Sequence, residues 1–248
     1  MVRATRILMG MPITVEIVGD APSGLIDAAF ALFAVIERRF SPFRPDSEVG
    51  ALNAGPPAPC GLSADMQEIL ALAERTRAET AGYFDIRRPD GRIDPSGIVK
   101  GWAIRKAVEL IETAGAASFF VDAGGDIQCR GHNGAGEPWR VGIRNPFNER
   151  EIIKVVLPRG RGIATSGTYV RGNHIYDPHG PGGSIDEIVS LTVLGRDVVE
   201  ADRFATAAFA MGRDGIRFIE EQPDLEGYVV DRAGVATQTT GFRDHVLP

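Results

Sequence analysis

Three stretches of the 248-residue chain place polar groups where stability alone would not put them. The first is Asp94-Pro95-Ser96-Gly97-Ile98-Val99-Lys100-Gly101, whose Lys100 is one of only three lysines, with Lys106 and Lys154. A helix starting near Ser96 puts Lys100 on the same stripe as Ile104, Val108 and Ile111, its apolar face. A cation near a helix N-terminus is disfavoured by the macrodipole. On a buried stripe it needs an anion beside it. The same helix start offers free N–H groups to a phosphate. On the residues alone, a phosphate-facing Lys100 stands beside a plainer reading, in which it snorkels to solvent or pairs with Asp94.

The second stretch is Asp202-Arg203-Phe204-Ala205-Thr206. Asp202 and Thr206 are four residues apart, so on a helix they share a face that Phe209 continues, while Phe204, Ala208 and Met211 take the opposite side. A helix apolar all round is buried. A carboxylate and a hydroxyl together there suit a hard cation, Mg²⁺ or Ca²⁺. The alternative pairs Asp202 with an arginine and bonds Thr206 back to its own helix. The third stretch is Gly162-Ile163-Ala164-Thr165-Ser166-Gly167, followed by His174-Ile175-Tyr176-Asp177-Pro178. Small hydroxyl-bearing residues let a ligand approach the backbone. His174 is either a general base or a histidine satisfied by a turn carbonyl. Asp122-Ala123-Gly124-Gly125-Asp126 reads as a tight turn between strands, since it lacks the spacing of a dinucleotide fingerprint. No phosphate-loop, HExxH or GxSxG pattern occurs.

Composition narrows the function classes. The net charge is −6, and no run of Lys or Arg makes a basic patch, so neither nucleic acid nor an anionic lipid surface is an expected partner. No stretch approaches the roughly 18 apolar residues of a membrane span. Cys60 and Cys129 belong to no metal-binding pattern and are expected to be free thiols. With no apolar leader in Met1–Gly10, the sequence predicts a cytoplasmic protein. It gives no oligomeric state.

The elements that must position these groups read as follows. Strands are expected at 11–19, at 118–130 about a Gly124-Gly125 turn, and at 138–143, 151–157, 162–165, 173–176, 188–194, 226–231 and 235–238. Helices are expected at 24–39, in a short turn ending at Asn53, from the Ser63 cap to Thr80, from Ser96 to Gly115, at 198–212 and at 214–221. Residues 82–95 are turn-rich. Helices and strands come in blocks rather than in strict alternation. That predicts an α+β fold, one domain over residues 1–248, with mixed or antiparallel sheets flanked by helices.

Taken in order, Met9-Gly10, FSPFRPDSEVGALN, YFD, DPSGIVKGWA, FFVDAGGDIQCRG, WRVGIRNP, ATSGTYV, HIYDP and ADRFATAAFAMG form a series from Met9 to about Gly212. This series resembles the ApbE family of FAD:protein FMN transferases. The resemblance implies an ApbE-like (T-fold-like) architecture and Mg²⁺-dependent transfer of FMN from FAD to a Thr or Ser hydroxyl of an acceptor flavoprotein subunit, with release of AMP. It places Met9, Phe43, Tyr83, Phe84, Asp85, Asp94, Lys100 and Tyr176 at FAD. It places the Gly97 carbonyl, Asp202 and Thr206 at Mg²⁺, and His174, with Lys100, at the transfer step. Gly124-Gly125-Asp126 and Ala164-Thr165-Ser166-Gly167 are implied to shape the pocket.

The chain departs from the family pattern in several places. Phe84 to Asp94 is short, Phe43 stands where tyrosine is usual, and Ala205 replaces a second carboxylate found in some relatives. Many relatives are exported lipoproteins. Two other functions fit the same residues: an FAD-binding or storage protein, which would hold FAD intact with Mg²⁺, and an FAD diphosphatase, which would give FMN and AMP without a protein acceptor.

Overall fold

The computed structural model describes residues 1–55, 61–167, 175–180 and 185–247. In chain order the strands are β1 (Val2–Leu8), β2 (Met11–Val18), β3 (Ser118–Ala123), β4 (Asp126–Arg130), β5 (Val141–Asn145), β6 (Asn148–Val156), β7 (Gly162–Gly167), β8 (Ile188–Gly195), β9 (Glu226–Asp231) and β10 (Ala236–Gln238). The helices are α1 (Leu25–Phe40), α2 (Glu48–Ala54), α3 (Ala64–Glu79), α4 (Ser96–Thr113), α5 (Val198–Ala210) and α6 (Gly215–Glu221). One eight-stranded sheet runs β1-β2-β3-β4-β7-β8-β9-β10, and β5-β6 form a separate hairpin. The strand pairings described are antiparallel, so the α+β expectation holds and the sheet is antiparallel rather than mixed.

Strand alternation gives the sheet two different faces. On one, Ile13, Val15, Phe119 and Val121 pack with Phe30 and Phe33 of α1 and with Trp102, Ile104 and Ile111 of α4. Leu191, Val193 and Val229 pack on the same side against Phe204, Ala208 and Phe209 of α5. On the other face Ile127, Ile163, Leu194 and Val230 meet Val141, Ile143 and Val156 of the hairpin. Each such buried side chain contributes about 1.5–3 kcal/mol.

Sequence reasoning placed α3 well, because Ser63 caps it by accepting from the Met66 N–H at 3.1 Å. It missed β1. Arg3 and Arg6 break the apolar pattern there, and most of β1's residues are exposed at the sheet edge, so pairing with β2 rather than burial makes the strand. The strand expected at 138–143 begins at Val141, because Trp139 turns aside to pack on Phe120 and its indole N–H donates to the Arg130 carbonyl at 2.7 Å. Of the strand expected at 173–176, residues 173 and 174 lie outside the described residues. Cys129 is a buried free thiol that burial pushes up to about 11, and Cys60 lies outside the described residues. No helix of the described residues is long and apolar enough to cross a membrane.

The start of α5 is clamped to the sheet. The Gln128 side-chain oxygen accepts from the Val198 N–H at 2.9 Å, and its amide donates to the Gly160 carbonyl at 2.9 Å. Asp197 caps the helix, accepting from the Val199 and Glu200 N–H groups at 2.9 Å. A Cβ on Gly162 would stand 2.1 Å from the Val198 backbone nitrogen, so only glycine lets β7 meet the helix. Gly162→Ala is expected to cost about 3 kcal/mol. Urea denaturation should show a lower midpoint at unchanged slope; an unchanged midpoint would refute the clamp.

Candidate functional site

The first turn of α4 points at α5 across a close crossing. A Cβ on Gly101 would lie 3.0 Å from Asp202 Cβ and 3.0 Å from the Val198 carbonyl oxygen, so the missing side chain is what lets the two helices touch. The Gly101 N–H donates to Asp202 Oδ2 at 2.9 Å. Lys100 Nζ lies 3.4 Å from Asp202 Oδ1 and 2.6 Å from Asp126 Oδ2. Asp126 Oδ1 accepts from the Thr165 N–H at 3.2 Å, which ties it to β7.

Two carboxylates, Asp126 at 1% exposure and Asp202 at 2%, therefore share the Lys100 ammonium, whose side chain is 14% exposed. Two negative charges face one positive charge in a buried place. Burial pushes the Asp202 carboxyl up to about 7, against the pull of Lys100 and with the push of Asp126. Asp202 thus meets a lysine rather than the arginine of the plainer reading; the adjacent Arg203 bonds Glu200 at 2.6 Å and also Glu79.

Two members of this triad, Lys100 and Asp202, line a cleft of about 1920 Å³. Its walls include Phe43, Tyr83, Phe84, Asp85, Asp94, Gly97, Lys100, Tyr176, Asp202 and Thr206, so most of the expected positions converge. Phe43 projects from the rim, 90% exposed. Tyr83 packs edge-on to His179 with ring centroids 4.6 Å apart. Phe84 is buried against α4: a Cβ on Gly97 would lie 3.0 Å from its ring and 3.5 Å from Thr206 Cγ2. Asp85 pairs with Arg77 at 3.0 Å. Burial raises the Tyr176 hydroxyl above its ordinary range.

Three expectations need correction or placement. Met9 takes a left-handed turn, φ 53°, and packs on the main core; Gly10, Met11 and Pro12 line the cleft there instead. Asp94 does not pair with Lys100. Its Oδ1 accepts from the Ser96 N–H at 3.1 Å and from the Ser96 hydroxyl at 2.6 Å, which takes up one of the helix-start N–H groups read as a phosphate seat. His174 lies outside the described residues; Gly167 and Ile175, on either side of that stretch, both line the cleft.

Sequence reasoning left the role of two contributors unread. Asp126 was read as part of a turn and, by the resemblance, of a pocket-shaping segment, but not as the nearer carboxylate to Lys100; an acid directly after Gly-Gly at a strand start was the available signal. The hairpin supplies a wall with Gly142, Arg144 and Ile152, next to Arg140. Asp122 also lines the cleft, and burial raises its carboxyl although the Gly125 N–H bonds it.

The donor set fits a divalent cation. Asp202, Thr206 and Gly97 offer hard oxygens, and the charge at the triad is short of one cation. Among the described residues no group of three or more His, Cys, Asp or Glu forms a metal cage.

The model of the ApbE family matches residues 9–88 and 86–229. FAD:protein FMN transferase of Escherichia coli (strain K12) is 30% identical over 166 residues, 63% of this chain and 47% of that protein. FAD:protein FMN transferase of Haemophilus influenzae is 24% identical over 86% of this chain and 81% of its own length. The chain thus spans about half the length of several curated relatives it matches, the E. coli protein among them. The solved structure of flavin transferase ApbE from Vibrio cholerae superposes with a TM-score of 0.87 at 23% identity, covering 98% of each chain, and so shares the fold.

Proposed function

The chain belongs to the ApbE family, and from that premise we propose that it transfers the FMN half of FAD to a Ser or Thr hydroxyl of an acceptor flavoprotein, releasing AMP. The observation that carries this reading is the triad. Lys100 and Asp202, about a hundred residues apart, meet with Asp126 beneath a cleft whose walls hold Tyr83, Phe84 and Tyr176. Small-molecule pockets commonly enclose about 300–1,000 Å³. A cleft of about 1920 Å³ has room for a dinucleotide and for a segment of acceptor chain beside it.

The aromatic side chains Phe43, Tyr83 and Tyr176 offer faces and edges to the flavin and adenine rings. Lys100 neutralises charge on the diphosphate oxygens. The acceptor hydroxyl oxygen bonds to the FMN-side phosphorus as the bridging P–O bond breaks and AMP departs. His174 is assigned the hydroxyl proton. Mg²⁺ bound by Asp202, Thr206 and the Gly97 carbonyl would supply Lewis-acid polarisation of the phosphoryl oxygens. Positioning and charge neutralisation do most of the work in such transfers.

The test is to incubate the protein with FAD, Mg²⁺ and acceptor candidates that carry Ser/Thr segments. An FMN phosphoester should appear on an acceptor by intact mass, with one AMP per transfer. FAD recovered whole with every acceptor would sink the proposal and leave a storage protein. FMN and AMP formed at high turnover without acceptor would make water the acceptor instead.

A further inference from the structure

Asp126 has no part in the transfer step described above, yet its carboxylate is the one nearest the Lys100 ammonium. Its Oδ1 accepts from the Thr165 N–H at 3.2 Å, and its buried Oδ2, which accepts no other hydrogen bond among the described residues, lies 2.6 Å from the Lys100 ammonium as an ion pair. It stands at the first residue of β4, against β7, and so belongs to the sheet rather than to either helix. Asp202 is held differently. The Gly101 N–H takes its Oδ2 at 2.9 Å, and its Oδ1 faces the same ammonium from 3.4 Å. An ammonium and a divalent cation both seek Asp202 Oδ1, and they repel one another.

We propose that Asp126 is a positioning residue that draws the Lys100 ammonium off Asp202, leaving the Asp202 carboxylate to a divalent cation. With Asp126 in place, Lys100 and Asp126 form a neutral pair and Asp202 keeps its charge for the metal. Without the Asp126 charge, Lys100 pairs with Asp202 and the metal must displace it. The inference rests on the metal reading given under Proposed function.

The experiment is Mn²⁺ titration of the protein, followed by the electron paramagnetic resonance of free Mn²⁺, with thermal unfolding as a check on folding. Asp126→Asn keeps an oxygen for the Thr165 N–H and loses only the charge. It should bind Mn²⁺ at least tenfold more weakly than the wild type. The double variant Asp126→Asn/Lys100→Met removes the competing ammonium as well, and its affinity should return to within about threefold of the wild type. A purely structural role for Asp126, or a role as a direct ligand, predicts no such rescue. Wild-type affinity in Asp126→Asn, or a double variant no better than Asp126→Asn, overturns the inference alone. A wild type that binds no Mn²⁺ overturns the metal reading and this inference with it.

Discussion

Asp202→Asn is expected to lower FMN transfer on the order of 10³-fold while leaving the fold as stable as the wild type or more so. The activity loss follows from removing the charge proposed to hold the metal, since several kcal/mol of transition-state stabilisation converts at about 1.4 kcal/mol per tenfold. The stability gain follows from the triad. Asparagine keeps an acceptor for the Gly101 N–H, and the Lys100–Asp126 pair is then neutral. Removing one of two buried like charges should add about 1–2 kcal/mol at pH 8.

The gain should depend on pH. Burial, with Asp126 beside it, raises the Asp202 carboxyl from its ordinary 3.8 to about 7 in the folded protein. Between those values the folded state holds a proton that the unfolded state has lost, so this group's contribution falls as pH rises from about 4 to about 7 and is flat on either side. The Asn variant lacks that fall, so its advantage over the wild type should open across this window and level off above it. Metal binding needs the ionised carboxylate, so Mg²⁺ affinity should rise about tenfold per pH unit below 7 and flatten above. Chemical denaturation at several pH values checks the first part and calorimetric Mg²⁺ titration the second. A variant less stable than the wild type at pH 8 would show that the triad is not charge-frustrated.

Lys100→Met should do the opposite to stability. It leaves Asp126 and Asp202 buried together with no ammonium between them. Removing one partner from a buried ionic cluster costs about 3–5 kcal/mol, because the remaining charge is uncompensated. The loss should be largest above pH 7 and smaller in acid, where a proton can sit between the carboxylates. Divalent cation should restore much of it, giving a larger Mg²⁺-induced rise in Tm than the wild type shows. Transfer should still fail, since the ammonium placed beside Asp202 to meet the phosphate is gone. Equal Tm shifts with Mg²⁺ in the variant and the wild type would argue that the metal sits elsewhere.

Much of this arrangement was readable from local pattern. The stripe Lys100, Ile104, Val108 and Ile111 predicted a lysine on a buried helix face, and α4 buries the last three as expected. The all-round apolar helix carrying Asp202 is buried on every side, with Thr206 left half-exposed at the cleft. What could not be read was which anion answers Lys100. Asp94, six residues away, was the local guess, and it spends its carboxylate on capping Ser96. The true partner arrives through sheet order. β4 pairs with β7 across the intervening hairpin, and that long-range pairing sets Asp126 beside Thr165 and under the helix. Periodicity reports which face of an element is buried and is silent on its neighbours. The same limit hid β1, which takes its shape from its partner strand, and the hairpin wall of the cleft.

The triad is assembled from three separate stretches of chain, and the order in which they emerge has a consequence for biogenesis. Lys100 and Asp126 both precede Asp202 by some seventy residues or more and can pair as counter-ions before Asp202, on a helix tied down by Gln128 and Gly162, docks. The nascent chain therefore never has to bury a bare ammonium. The unbalanced charge enters only with α5, so a polypeptide ending before Val198 would hold a self-satisfied ion pair and lack the Asp202 carboxylate proposed to hold the metal. On the proposed metal reading, loading of the divalent ion would thus report that α5 has docked on β4 and β7.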